Sequence, residues 1–204
     1  MNMIIGIDFD NTIIDYHSLF YEAGISLGIL LDDATKSKQS IRRDLLDADL
    51  EDEWVKIQGL VYGKLIKKAR MMEGFYSFLK GCQEYGWVVY IISHKTRHSA
   101  DGKGYGLHPP ALSWLKTNGI FESVQGVYFE TTRRRKISRI NHLDCRIIID
   151  DLPEVLLHPD LHSDIVKILY DPDSSYPINQ DYQTITHWNQ MLNGILELKE
   201  SYHD

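Results

Sequence analysis

Short apolar runs rich in β-branched residues, spaced by stretches long enough for a helix, constrain this chain more than any other feature. They cover residues 3–9, 87–92, 126–129, 146–149 and 165–170. Within each run the apolarity is continuous rather than alternating, the pattern of strands buried on both faces in a parallel sheet covered by helices. Helix candidates at 74–85, 110–118, 133–143 and 185–198 fall between and after the runs. That rhythm predicts an α/β fold, a Rossmann-like parallel sheet sandwiched by helices with right-handed crossovers.

One interval breaks the rhythm. Residues 10–86 separate the first two runs, far more than a crossover helix requires. Inside it Trp54, Ile57, Val61 and Leu65 recur at helical spacing. Glu51, Asp52 and Glu53 stand at the start of that helix, and Lys64, Lys67, Lys68 and Arg70 stand towards its end. This polarity suits the helix dipole, with Asp49 as the expected cap. A second apolar stripe runs through Leu19, Phe20, Ala23, Leu27 and Leu30. The expected organisation is a core of residues 1–14 and 73–204, with residues 15–72 forming a small helical cap inserted after the first strand.

Composition then excludes several classes. The chain has 204 residues, 43% hydrophobic and 25% charged, which gives a globular chain with one substantial core and room for a small accessory unit. A net charge of −7 argues against nucleic acid or an anionic membrane as partner. It leaves an anionic substrate open, because a bound cation inverts the local field. No run approaches the ~20 apolar residues of a membrane span, and no leader pattern precedes the first run, so a cytoplasmic protein is expected. Cys82 and Cys145 lack metal-ligand spacing and read as buried, reduced thiols. Nothing in the sequence indicates the oligomeric state.

In open parallel sheets, ligands bind beyond the carboxyl ends of the strands. The first strand ends in Asp8-Phe9-Asp10-Asn11-Thr12, the second in Ser93-His94-Lys95-Thr96, and the fourth in Asp150-Asp151. The helix before the fourth strand opens with Arg133-Arg134-Arg135-Lys136. Taken singly, the aspartates could be helix caps and turn residues. Taken together, four acids, a hydroxyl and a lysine converge on one sheet edge, where a cation is needed to offset the carboxylates. Oxygen-only ligands favour a hard metal, and Mg²⁺ suits a site with few protein carboxylates.

These segments, in this order, resemble the haloacid dehalogenase superfamily. Asp8-Phe9-Asp10-Asn11-Thr12 looks like its DxDxT motif, and Ser93 matches the hydroxyl residue ending the second strand. Lys136 matches the motif lysine, and Asp150-Asp151 matches the acidic pair of the fourth motif. The resemblance spans essentially the whole chain, including an insertion where the family's C1 cap sits. It implies that Asp8 is a nucleophile that forms an aspartyl-phosphate, and that Asp10 is the acid/base for leaving group and water. It implies Mg²⁺ held by Asp8, the Asp10 carbonyl and Asp150, with or without Asp151, and phosphate bound by Ser93, Lys136, Phe9 and Asp10. Thr12 shapes the loop. Because Asp occupies position 10, where the family's dehalogenases lack a second aspartate, carbon–halogen cleavage is disfavoured.

Several points stay open at this level. Arg133, Arg134 and Arg135 compete with Lys136, either as phosphate ligands or as a solvated basic face. Glu154 stands where some relatives carry another acid, but it also suits a helix first turn. His94, Lys95, Arg97, His98, Lys103, Tyr105 and His108 form either a substrate-recognition surface or a solvated loop, and Asp171-Pro172-Asp173 reads as a turn. The expected activity is Mg²⁺-dependent phosphomonoester hydrolysis on a small soluble phosphorylated metabolite, sugar phosphate or nucleotide, because a lid that excludes water also excludes a protein chain. Two other readings are a non-catalytic phosphate-binding protein on the same fold and a phosphorelay receiver domain. A receiver needs its phosphoacceptor after the third strand, where this chain has Glu130-Thr131-Thr132.

Overall fold

The computed structural model describes residues 3–31, 36–101 and 104–201. The chain runs through β1 (Ile4–Ile7), β2 (Ile14–Asp15), α1 (His17–Ser26), α2 (Lys38–Asp47), α3 (Glu51–Leu60), β3 (Arg70–Met71), α4 (Phe75–Glu84) and β4 (Val88–His94). It continues through α5 (His108–Thr117), β5 (Gly126–Glu130), α6 (Arg133–His142), β6 (Ile147–Asp150), α7 (Pro153–Leu156), β7 (Val166–Tyr170), β8 (Gln183–Ile185) and α8 (Trp188–Ser201). Six strands form one parallel sheet in the order β5-β4-β1-β6-β7-β8. Winding therefore starts at β1, proceeds to one edge, and returns to the other side at β6.

The apolar runs dictate this arrangement. Ile5, Ile7, Ile91, Ile147, Ile149 and Ile168 turn to one face of the sheet and join the larger core with Phe75, Phe78 and Trp188. Ile92, Ile148 and Leu169 turn to the other face and pack with Ile137, Ile140, Val155 and Leu156. Alternate residues thus feed opposite layers, and both layers are apolar because both are covered by helix.

Between β1 and β4, a two-stranded ribbon pairs Ile14 with Met71 and Asp15 with Arg70. The helices α1, α2 and α3 lie in the interval the ribbon brackets. The stripe through Trp54, Ile57 and Val61 is buried, but the helix carrying it is not continuous. After Leu60 it widens into a π turn, Val61–Leu65, and tightens into a 3₁₀ turn, Ile66–Lys68. Asp49 does not cap α3: the N-cap is Leu50, and Asp49 adopts φ 58°. Only a left-handed residue fits the short step between α2 and α3, and Asp tolerates it. The strand β8 has three residues, too few to stand out as an apolar run, and α8 starts at Trp188 rather than 185.

Cys82 and Cys145 are buried, unbridged thiols that burial pushes up to about 12. Among the described residues, no helix is long and apolar enough to cross a membrane.

Candidate active site

The strand order reverses between β1 and β6, which opens a crevice at their carboxyl ends. The Asp8 N–H donates to Ile149 O at 2.9 Å, so the ladder continues one residue past β1 and sets Asp8 beside Asp150. The chain then turns sharply: the N–H groups of Ile13 and Ile14 both donate to Phe9 O, at 3.1 and 3.2 Å. Asn11 makes that turn at φ 59°, a conformation asparagine tolerates. The Trp188 indole donates to Thr12 O at 2.9 Å and anchors the turn to α8.

Thr132 caps α6 by accepting the Arg135 N–H, and Lys136 follows in the first turn. Its ammonium donates to Asp8 Oδ1 and, at 2.5 Å, to Asp150 Oδ2. Lys136 is only 1% exposed. Arg133, Arg134 and Arg135 stay exposed, and of the three only Arg133 lines a cavity together with Asp8 and Lys136. Asp150 Oδ1 accepts the Leu152 N–H, while Asp151 Oδ2 accepts the Asn11 amide at 3.2 Å.

Carboxylate oxygens of Asp8, Asp150 and Asp151 lie within 4.8 Å of one another. Burial pushes the Asp8 carboxyl up, and the nearby Asp150 and Asp10 add to the shift against the opposing pull of Lys136, leaving it at about 7. Burial, Asp8 and Asp150 likewise hold Asp151 well above the usual carboxylate range. Burial disfavours the Lys136 charge, but Asp150 and Asp8 outweigh it and hold the ammonium above its ordinary value. The lysine therefore does not neutralise the cluster by itself. Three close carboxylates, oxygen donors alone, and a deficit of positive charge fit a hard divalent cation such as Mg²⁺.

Asp10 belongs to a second network. Lys95, 3% exposed, donates to both its oxygens at 2.6 and 2.9 Å, and the Tyr16 hydroxyl donates to Oδ1 at 2.7 Å. The Lys95 ammonium also lies over the rings of Phe9 and Tyr62, and its carbonyl meets His108 Nε2 at 2.9 Å. Burial and Asp10 push the Tyr16 hydroxyl well above its usual range, so it remains a donor.

A cavity of about 450 Å³ gathers Asp8, Asp10, Ser93, Lys95, Lys136 and Asp151 from the α/β side. Lys38, Gln58, Gly59 and Tyr62 face it from the helical insertion. A Cβ on Gly59 would come within 2.6 Å of Asp101 Oδ2, so the glycine lets α3 approach the loop after β4. Asp150 lies beneath, fully buried. The Phe9 ring does not reach the cavity: it packs against Trp114 and Phe129, which leaves its main chain as its one means of meeting a ligand. Glu154 is exposed in the first turn of α7.

The loop after Ser93 divides. His94, Lys95, Thr96 and Ser99 line the cavity, whereas Arg97, His98, Tyr105 and His108 do not, and Lys103 lies outside the described residues. Backbone bonds from Ser99 to Tyr105 and from Leu107 to Arg97 fold this loop back on itself. Asp171 holds its turn by accepting the N–H groups of Ser175 and Tyr176, both at 2.9 Å.

Sequence reasoning left Lys95 among undifferentiated loop residues. Period-two alternation puts it on the face of Ser93, and that signal could have singled it out. Tyr16, Lys38 and Tyr62 carry no local signal, since they reach the site only through the fold. Lys38 meets Asn11 Oδ1 at 3.3 Å from the start of α2.

No family model matches the sequence, and no curated protein matches it either. Solved structures do. The Bacillus subtilis HAD-hydrolase YfnB, bound to magnesium, is 13% identical, with a TM-score of 0.60 over 97% of this chain and 98% of that one. A β-phosphoglucomutase from Clostridium difficile is 14% identical, with a TM-score of 0.61 over 99% of each chain. A 2-haloacid dehalogenase from Pseudomonas syringae is 10% identical, with a TM-score of 0.54 over 97% of this chain and 100% of that one. One architecture thus serves differently named enzymes, and the reaction has to be argued from the site. Over almost its whole length, the protein has the fold of the haloacid dehalogenase superfamily.

Proposed function

We propose that the protein is a Mg²⁺-dependent phosphomonoester hydrolase acting on a small soluble phosphorylated compound through an aspartyl-phosphate on Asp8. One observation carries this reading: Asp8, bonded to the buried Lys136, lines one cavity together with a second aspartate, Asp10.

The side chains divide the work. An Asp8 oxygen attacks phosphorus, the bond to the substrate oxygen breaks, and Asp10, which enters this step protonated, gives its proton to the departing alkoxide and is left as the carboxylate. Asp10 then takes a proton from the water that attacks the aspartyl-phosphate, which releases phosphate and restores Asp8. Lys95 and Tyr16 orient the Asp10 carboxylate for both transfers. Ser93, Lys136 and the main chain at Phe9 and Asp10 would receive phosphate oxygens, and Lys136 also bonds both Asp8 and Asp150. Asp8, the Asp10 carbonyl and Asp150, with Asp151 alongside, would hold Mg²⁺, which would supply the positive charge that offsets the repulsion between carboxylate and anionic phosphate. The helical insertion supplies Lys38, Gln58 and Tyr62 to the cavity, which supports a lid that screens the reaction from bulk water.

The test is phosphate release from p-nitrophenyl phosphate. Turnover is expected with Mg²⁺, is lost in EDTA, and is lost in Asp8→Asn. Equal turnover in the chelated protein, or an active Asp8→Asn, contradicts the mechanism.

A further inference from the structure

A second cavity of about 430 Å³ abuts the catalytic one, and the two share a wall formed by Asn11, Lys38, Gln58, Asp151 and Leu152. Its far side is built from residues the chemistry above does not use. Trp54 and Tyr170 line it, 5% and 4% exposed. The Trp54 ring stacks on Phe20 and the Tyr170 ring packs on Trp188, so both are fixed. Among the described residues, neither the Trp54 indole N–H nor the Tyr170 hydroxyl has a hydrogen-bond partner, and neither atom is sealed inside the protein. Buried tryptophan and tyrosine normally place these groups on a partner. Two fixed aromatic side chains, each with an unpartnered donor, therefore line this space.

The same cavity carries acceptors. Asp15, Glu154 and Asp173 line it, and Arg42 adds an exposed donor. Burial pushes the Tyr170 hydroxyl up to about 12, with Asp15 and Asp173 adding to the shift, so it remains a donor. Asp151, Glu154 and Asp171 act in the same way on Tyr176, at the cavity's edge.

This mixture selects a ligand class. A second anionic group would be opposed, because Asp15, Asp151, Glu154, Asp171 and Asp173 line the cavity against the two cations Lys38 and Arg42. An ammonium would satisfy the carboxylates but leave the indole and phenol donors without acceptors. Hydroxyl groups both donate and accept, and so meet both sets. We propose that this cavity is a subsite for an uncharged polyhydroxylated unit, a sugar or polyol, belonging to the organic part of the substrate. The assignment of that unit to a substrate rests on the phosphatase reading above, whereas the subsite's affinity for hydroxyl-rich groups does not.

The experiment uses Tyr170→Phe, which removes one donor and keeps the packed ring, and Trp54→Phe, which removes the indole donor and leaves a smaller aromatic ring against Phe20. Turnover is measured on trehalose 6-phosphate, sorbitol 6-phosphate, AMP, phosphocholine and p-nitrophenyl phosphate. The expected result is the highest kcat/KM for a polyol phosphate. Each variant then loses about 2- to 10-fold on it through KM, the range of one hydrogen bond. On p-nitrophenyl phosphate, which is too small to span both cavities, the change is less than about twofold. A preference for AMP or phosphocholine, or equal losses on all substrates, overturns the subsite. If no compound releases phosphate, the phosphatase reading falls, and saturation-transfer NMR with unphosphorylated trehalose decides the subsite separately. Transfer in the parent protein that is lost in the double variant supports the subsite, and no transfer in the parent overturns it.

Discussion

Replacing Lys136 with methionine is the perturbation whose size follows most directly from the structure. The ammonium is buried between two buried carboxylates, Asp8 and Asp150, and bonds to both. Removing one partner of a buried ion pair costs roughly 3–5 kcal/mol, because the remaining charge is left in a poorly solvating interior. For a chain of this size, that corresponds to a fall in Tm of roughly 6–20 °C. The penalty also depends on pH. In the metal-free parent, Asp8 titrates at about 7 instead of 3.8, so its protonated form adds stability that is complete below about 3.8 and lost as pH rises through about 7. Lys136 is the main influence pulling the Asp8 carboxyl down, so its loss moves that window upward. The gap between parent and variant should therefore be widest near pH 8 and narrow towards pH 5, as the Asp8 carboxyl protonates. Urea unfolding in EDTA at the two pH values measures it. A gap under about 1 kcal/mol at pH 8, or one that widens on acidification, refutes the reasoning.

Asn11→Gly keeps the backbone at φ 59° unstrained but removes the amide from Asp151 Oδ2. Outer-shell losses of this kind weaken metal binding by about 10-fold or more, which calorimetry with Mg²⁺ would read, and an unchanged affinity contradicts the role given to Asn11. Lys95→Met removes the ammonium from both Asp10 oxygens and leaves only the Tyr16 hydroxyl on Oδ1, and kcat on alkyl phosphates is expected to fall by about 10²-fold with KM little changed, because the acid/base group is less firmly oriented. A loss confined to KM would assign Lys95 to substrate binding instead. Because Asp8 and Asp151 are pushed up in the metal-free protein, Mg²⁺ must displace protons. Its affinity is therefore expected to weaken as pH falls below about 7, and calorimetry in buffers of different ionisation heat at pH 6.5 should show proton release.

The fold was legible where burial is two-sided. Runs such as residues 4–7 and 147–149 are continuously apolar because their isoleucines meet one or the other of two covered faces. The strand β8 escaped because Gln183 and Thr184 break the apolarity of a three-residue strand. The helix through Trp54 and Val61 was visible as a stripe, but its switch to π and 3₁₀ turns was not, since those geometries keep the same residues buried. At the site, Asp8, Asp10, Ser93, Lys136, Asp150 and Asp151 could be named because each ends a strand or opens a helix beside one. Tyr16, Lys38 and Tyr62 enter from the insertion, and no local pattern reports a contact made across that distance.

The most direct test of the Asp8 assignment is intact-protein mass spectrometry of Asp10→Asn after brief mixing with an aryl phosphate and Mg²⁺. An aryl leaving group needs little protonation, so Asp8 should still be phosphorylated, while the water that clears the intermediate lacks its base. A single phosphoryl adduct is predicted to accumulate, to map to Asp8, and to be absent from Asp8→Asn. An adduct on Ser93 or a histidine contradicts Asp8 as nucleophile. No adduct in either variant, with Asp8→Asn still turning over, points instead to direct attack by water.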